Sequence, residues 1–386
     1  MDLTFTEREQ SFRAECRDWL AAHVPKQPLP SGDTREGFAR HLEWERELFD
    51  AGWAVVSWPK PYGGREATLF EWLIFEEEYY RARAPQRVTQ NGIFLLAPVL
   101  FEFGNEEQKA RILGPMARGD YTWAQAWSEP NAGSDLASLR SEGHRVDGGF
   151  RLRGQKTWCT RGAFCDAIYG LFRTNPKVPR HKGLTYFMVP LDAEGVRVRA
   201  VERLDGDEGF AEVFFDDVFV PDRDVIGAVD KGWDIAMATT NSERGLTLRS
   251  PGRFMATAAR LVDLWRRQRA TADPALRDAV VEAFIDAEAY RWYTYGTVTR
   301  MLEGQAMGAD ASLNKIFWSE MDVRMHETAL ALLGPTRELE EGSSLTGDDG
   351  SWLKGFQFSL AGPIYAGTNE IQRNVVAERL LKLPKG

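Results

Sequence analysis

Three separated runs hold the side chains best suited to chemistry in this 386-residue chain. The first, Trp127-Ser128-Glu129-Pro130-Asn131-Ala132-Gly133-Ser134-Asp135, packs hydroxyl, small and turn residues into one loop. Such a loop brings backbone N–H groups and a Ser Oγ close to a ligand. The second is Gly154-Gln155-Lys156-Thr157-Trp158-Cys159-Thr160. Trp158 and Thr160 are two apart, so a strand would aim both at one face. A flat indole beside a hydroxyl supplies an apolar cover and a donor, which is what an isoalloxazine ring requires. The third is Ile364-Tyr365-Ala366-Gly367-Thr368-Asn369-Glu370-Ile371-Gln372-Arg373-Asn374. Gly367 permits a close approach, Thr368 is a natural N-cap, and the helix start it predicts offers unpaired N–H groups to an anion. Taken singly, the three would be a turn, a half-buried strand tryptophan and a capped helix.

Absences narrow the chemistry. No two glycines are spaced as Gly-x-Gly, and neither a Walker A run nor a Gly-x-Ser-x-Gly elbow occurs. His23, His41, His144, His181 and His326 never fall in a ligand-like pair, so no metal site is expected. Cys16, Cys159 and Cys165 are odd in number and lack metal spacing, as in a reducing compartment. The net charge of −9, with Lys and Arg scattered, argues against nucleic acid or anionic membrane as partner. Small basic pockets for phosphates are still allowed. No signal-peptide pattern opens the chain, and the longest apolar stretch, Ile93 to Phe101 with Pro98 inside, is too short to span a bilayer. A cytoplasmic protein without membrane insertion is expected.

The elements that must position these runs follow an α, β, α order. Thr6 with Glu9 forms a capping-box pattern ahead of Phe12, Cys16, Trp19 and Leu20 at helical spacing. Helical patterns resume from Leu69 to about Leu113, broken near Gly104-Asn105, where Asn105 caps the next run. From Tyr121 to about Pro221, short β-favouring runs lie between turn residues: 150–153, 167–172, 184–189, 196–201 and 212–220. They predict an antiparallel barrel or sandwich. Helical periodicity returns at Gly232, interrupted by a loop-like stretch from Arg337 to Ser351.

In this order and spacing the three runs resemble the acyl-CoA dehydrogenase family. The likeness extends to Trp58-Pro59-Lys60…Tyr62-Gly63-Gly64, Gly104-Asn105-Glu106-Glu107-Gln108-Lys109 and Phe214 to Pro221. It implies an α+β fold: an N-terminal helical domain (1–120), a central antiparallel β-barrel (121–228) and a C-terminal four-helix bundle (229–386). It also implies FAD. Gln125, Trp127, Ser128, Gly133 and Ser134 would line the cofactor, Trp158 would cover the flavin, and Thr160 would hydrogen-bond near N5. Thr368, Asn369 and Glu370 would hold other parts of FAD. Ser134, Arg244, Ala366 and Gly367 would contact an acyl-CoA or acyl-carrier thioester. Electrons would pass to an electron-transfer flavoprotein, from a homodimer or homotetramer.

Most members of that family carry Glu where this chain has Ala366. Isovaleryl-type and long-chain-type members instead place the base on another helix, just before an Arg, and Asn241-Ser242-Glu243-Arg244-Gly245 matches them. Glu243 is therefore the expected catalytic base. A same-fold flavin monooxygenase or oxidase would tolerate its loss. Two family segments are altered: Arg269, in Arg266-Arg267-Gln268-Arg269, is the nearest candidate for a FAD contact from a neighbouring subunit, and Leu333-Gly334-Pro335-Thr336 replaces a Gly-rich run. These changes allow a mixed assembly in which a partner chain supplies part of the site, or in which this subunit holds FAD weakly. Pro251, about two turns past Glu243, should kink or break the helix and shape the acyl pocket.

Overall fold

The computed structural model of the chain describes residues 4–244, 250–305, 308–339, 343–345 and 350–384; the side chains of 241–244 fall outside that description. Contacts divide the chain into two units: residues 1–24, 68–84 and 244–386 form one, and 25–67 with 85–243 form the other. No helix among the described residues is long and apolar enough to cross a membrane.

The first unit contains α1 (Glu7–His23), α3 (Leu69–Arg81), α7 (Pro251–Gln268), α8 (Leu276–Leu302), α9 (Ala311–Leu333), α10 (Ser351–Ser359) and α11 (Asn369–Val375). Thr6 and Thr68 start α1 and α3 with complete capping boxes to Glu9 and Glu71. Helix α3 is buried all round, yet it carries Glu71, Glu77 and Glu78. Arginines from α1 and α8 neutralise them: Arg8 binds Glu71, Arg13 and Arg17 bind Glu78, and Arg291 binds Glu77. Phe254, Leu261, Tyr290, Trp318, Met325 and Trp352, contributed by α7 to α10, form a shared apolar core.

Pro251 behaves as its backbone chemistry requires. Ser250 is extended (ψ 131°), accepts a hydrogen bond from Gly252 N, and N-caps α7, which begins at Pro251. The helix carrying Glu243, α6 (Gly232–Arg244), ends before it. The expected break is present. Residues 340–342 and 346–349 of the expected 337–351 loop lie outside the described residues; Gly334–Glu338 forms a short 3-10 turn and Ser351 begins α10.

The second unit contains α2 (Arg35–Asp50), α4 (Ala97–Phe103), α5 (Glu106–Arg118), α6 and eight strands. These are β1 (Trp123–Ala126), β2 (Glu142–Val146), β3 (Gly149–Lys156), β4 (Ala167–Arg173), β5 (Leu184–Pro190), β6 (Val196–Val201), β7 (Phe210–Pro221) and β8 (Val225–Ile226). The five strand runs read from the sequence are β3 to β7. The three short strands β1, β2 and β8 carry too few alternating residues to stand out.

The strand path is β6-β7-β3-β2-β4-β5-β8, with β1 pairing β4. Among the described residues no pairing joins β6 to β8, so the sheet is open where a closed barrel is expected. Strand β8, two residues long, offers little for a closing partner. Nor is the sheet purely antiparallel, because β1 and β2 both run parallel to β4. The long strand β7 buries Ala211, Val213 and Phe215, then Val218 and Val220. The change of phase falls at Asp217 (φ 57°), where the β3 register slips between Leu152 and Gly154. This bulge keeps both halves of β7 facing the core.

Strand β1 leads directly into the first chemical run, and Gly170 decides how closely it approaches β4. Ala126 pairs with Gly170, and a Cβ at Gly170 would collide with the Ala126 carbonyl. Gly170→Ala should therefore destabilise the fold by about 1–3 kcal/mol, read as a lower denaturant midpoint. An unchanged midpoint would show that β1 is free to shift.

Candidate active site

The first run turns immediately after β1. Glu129 and Ala132 exchange backbone hydrogen bonds of 3.0 Å, with Pro130 at the first corner of the turn. Beyond it, Gly133 and Ser134 are exposed, and a Cβ built on Gly133 meets nothing within 4 Å. Gln125 lies on β1, and Trp127 donates from Nε1 to Tyr186 Oη at 3.3 Å.

The second run is joined to the first by a buried ion pair. Lys156 ends β3 on the same strand parity as the core residues Phe150 and Leu152, and it is fully buried. Its Nζ donates to Glu129 Oε1 at 2.8 Å and to the Trp127 carbonyl at 3.3 Å, above the Phe172 ring. Glu129 also accepts from the backbone N–H groups of Arg140 and Ser141. Burial pushes the Glu129 carboxyl upward, but Lys156 and these donors outweigh it and hold it below the usual carboxylate range. Thr157 N donates to Ser128 O at 2.9 Å, closing the junction.

Past Lys156 the strand reading fails. Trp158 has φ 58° and Arg161 φ 57°, left-handed conformations that cost non-glycine residues about 1–2 kcal/mol each. Trp158 and Thr160 therefore do not share a strand face. They belong to a loop pinned by bonds from Cys159 N to Ala211 O and from Arg161 N to Gly209 O. Asn91 Nδ2 holds the Thr160 carbonyl at 3.3 Å. The Trp158 indole is 59% exposed and touches Phe210 edge-on. An exposed, flat indole suits a flat aromatic ligand.

Helix α6 is tied to the same loops. Tyr186 Oη lies 3.2 Å from Thr239 Oγ1, in α6, and accepts from Trp127. Tyr169 stacks on Tyr186 and donates to the Asn91 carbonyl, so a continuous network runs from Trp127 to the Thr160 loop. Glu243 and Arg244 are the last described residues of α6, with Glu243 four residues beyond Thr239. Their side chains lie outside the described residues.

The third run, in the other unit, forms the predicted capped helix: Thr368 Oγ1 accepts from Ile371 N and α11 follows. Ala366 (φ 55°) and Gly367 (φ 79°) are both left-handed, and the buried Gln372 amide binds their two carbonyls. Asn369 is buried, and its amide bonds Lys315 Nζ, Ser319 Oγ and Glu320 Oε1 of α9. Glu370 is exposed. Arg269 is exposed just past α7, and Gly334 (φ 57°) ends α9.

Asn91, Tyr186 and Thr239 lie outside the three chemical runs read from the sequence, and the pairing of Glu129 with Lys156 is not predicted by either run. Lys156 was the detectable one. A lysine on the buried parity of a strand needs an anionic partner, although its spacing cannot say which.

Residues 6–120, 124–218 and 230–381 match the N-terminal, middle and C-terminal domains of acyl-CoA dehydrogenase. The chain is 35% identical to acyl-CoA dehydrogenase IpdE1 of Mycolicibacterium smegmatis, over 97% of this chain and 98% of that one. Among solved structures, the Tcur3481-Tcur3483 steroid ACAD is 27% identical, with a TM-score of 0.90 and complete coverage of both chains. The ChsE4-ChsE5 complex from Mycobacterium tuberculosis is 26% identical, with a TM-score of 0.85 and the same coverage.

Lys156→Met would strand a buried carboxylate and should cost about 3–5 kcal/mol, with partial recovery on adding Glu129→Gln. Because the folded Glu129 pKa is depressed, its stabilisation is complete above the unfolded value of about 4.3 and is lost as pH falls through the folded value. Glu129→Gln should thus flatten the acid limb of stability below about pH 4. Urea titrations across pH measure both effects, and equal acid limbs would contradict the ion pair.

Proposed function

The chain belongs to the acyl-CoA dehydrogenase family, and we propose that it binds FAD and dehydrogenates the α,β-carbons of an acyl thioester with Glu243 as base. The observation that carries this is the Lys156–Glu129 junction, which joins two loops, with the exposed Trp158 indole two residues beyond it. Its features suit a flavin. Trp158 offers a flat apolar face, Thr160 is held at its carbonyl, and the Gln125 to Ser134 segment has open space at Gly133. When bound, FAD supplies the acceptor for the hydride that leaves Cβ.

The chain's own groups do the rest. The Glu243 carboxylate takes the α-proton; partial dehydration against an acyl chain would raise its pKa and strengthen it as a base. The Ala366 N–H, in the backbone turn held by Gln372, polarises the thioester carbonyl. Ser134, Arg244 and Gly367 orient the thioester. Thr368 and Glu370 contact FAD near the α11 start, and Asn369 supports that turn through its bonds to α9. An electron-transfer flavoprotein would be the electron-accepting partner, and the cytoplasm the compartment.

The likeness to a steroid ACAD suggests an acyl chain attached to a steroid-sized ring system. Both paired names among the solved structures suggest a mixed assembly, with Arg269 and Gly334 at a subunit boundary.

Glu243→Gln should retain FAD and slow anaerobic flavin bleaching by about 10²–10⁴-fold; near-normal bleaching would remove Glu243 from its role. A panel of CoA thioesters, steroid-linked and straight-chain, should bleach the flavin fastest with the steroid-linked members. A preference for straight chains would sink that substrate assignment.

A further inference from the structure

The loop that holds Trp158 and Thr160 ends on a residue with no obvious reason to be charged. Arg161 is 5% exposed and left-handed, a conformation that an arginine relaxes from unless it is held. It is held at both ends. Its N–H donates to Gly209 O at 2.9 Å, and its Nε donates to Asp33 Oδ1 at 2.7 Å. The other oxygen of Asp33 accepts from Arg203 Nη1 at 2.7 Å. Arg203 then grips its own loop, through two bonds to Asp205 and a longer contact to Asp207. Ser31, two residues before Asp33, donates to Asp207 Oδ2.

The cluster thus joins three chain segments: 31–33, 161 and 203–207. Burial pushes the Asp33 carboxyl upward, yet the two guanidinium groups outweigh it and keep the carboxylate ionised. From 207 the chain runs directly to Gly209 and Ala211, whose carbonyls receive the loop's N–H groups, and to Phe210, which touches the Trp158 ring. Gly209 is part of the device, because a Cβ there would run into the Arg203 guanidinium. The side-chain anchor of the loop passes through Asp33 to Arg203, and its backbone anchor begins two residues past the 203–207 segment.

On the flavin reading above, we propose that Asp33, Arg161 and Arg203 are positioning residues that hold the Trp158–Thr160 loop in its ligand-binding conformation. They act on the flavin only through that loop. If they served stability alone, their loss would lower the melting temperature and leave the environment of any bound flavin as it was.

The test uses the full chain loaded with FAD. Asp33→Asn, which keeps the shape and removes the charge, and Gly209→Ala, which displaces Arg203, should each weaken FAD binding roughly tenfold or more, the usual scale for groups that orient a ligand-contacting residue. The flavin that does bind should show an altered visible band and midpoint potential, and Asp33→Glu should recover part of both. A folded Asp33→Asn protein with FAD affinity within about twofold of the parent and an unchanged potential would overturn the proposal. So would an affinity loss that only tracks apoprotein melting, with the bound flavin's spectrum unaltered. Should Asp33→Asn fail to fold, Arg161→Lys, which keeps the cation and loses the fork, is judged by the same criteria. Parent protein that takes up no flavin would sink the flavin reading itself, a different outcome from either of these.

Discussion

One buried ion pair governs the β-rich unit. Lys156 cannot enter the sheet core as an ammonium without a counter-charge, and Glu129 cannot turn inward without donors. Each makes the other possible, and the bond between them joins segments 27 residues apart. The Glu129–Ala132 turn, the carbonyl of Trp127 and the exit of β3 are all set by that bond. Removing either charge would do more than lose a contact, since the survivor would be a desolvated ion in a protein interior.

Strain accumulates next to that pair. The chain leaves β3 and within five residues adopts two left-handed conformations at Trp158 and Arg161. Such residues persist only where their surroundings over-determine them. Here the surroundings are backbone bonds to 209–211, the Asn91 amide and the Asp33 carboxylate. The result is a large indole carried in an exposed position by a pinned backbone, the reverse of the usual fate of tryptophan. Tyr186 extends this order to α6, through its bonds to Trp127 and Thr239.

The helical unit solves a related problem with polar side chains. Ala366 and Gly367 turn the chain sharply into a seven-residue helix that is too short to be stable alone. The Gln372 amide satisfies their carbonyls, Ser312 holds Gln372, and Asn369 is fastened to α9 by three bonds. The Ala366 side chain takes no part in this frame, which is built from backbone carbonyls and from the residues after it.

Much of this was legible in the residues. Capping patterns located the starts of α1, α5 and α11, β-favouring runs between turn residues located β3 to β7, and Pro251 marked a helix break, because each of these depends on neighbours within a few positions. The three runs, in order, identified the family for the same reason: loops that approach a ligand closely restrict residue type locally. What sequence could not supply was anything set by partners far along the chain. The open sheet depends on pairings between β1, β2 and β4, and the left-handed turn at Trp158 overrode the local strand pattern. Residue type alone says that Lys156, Arg161 and Asp33 are ionisable. Only the tertiary structure decided which charges meet in the interior, because burial, which makes those pairings obligatory, is a property of the folded chain.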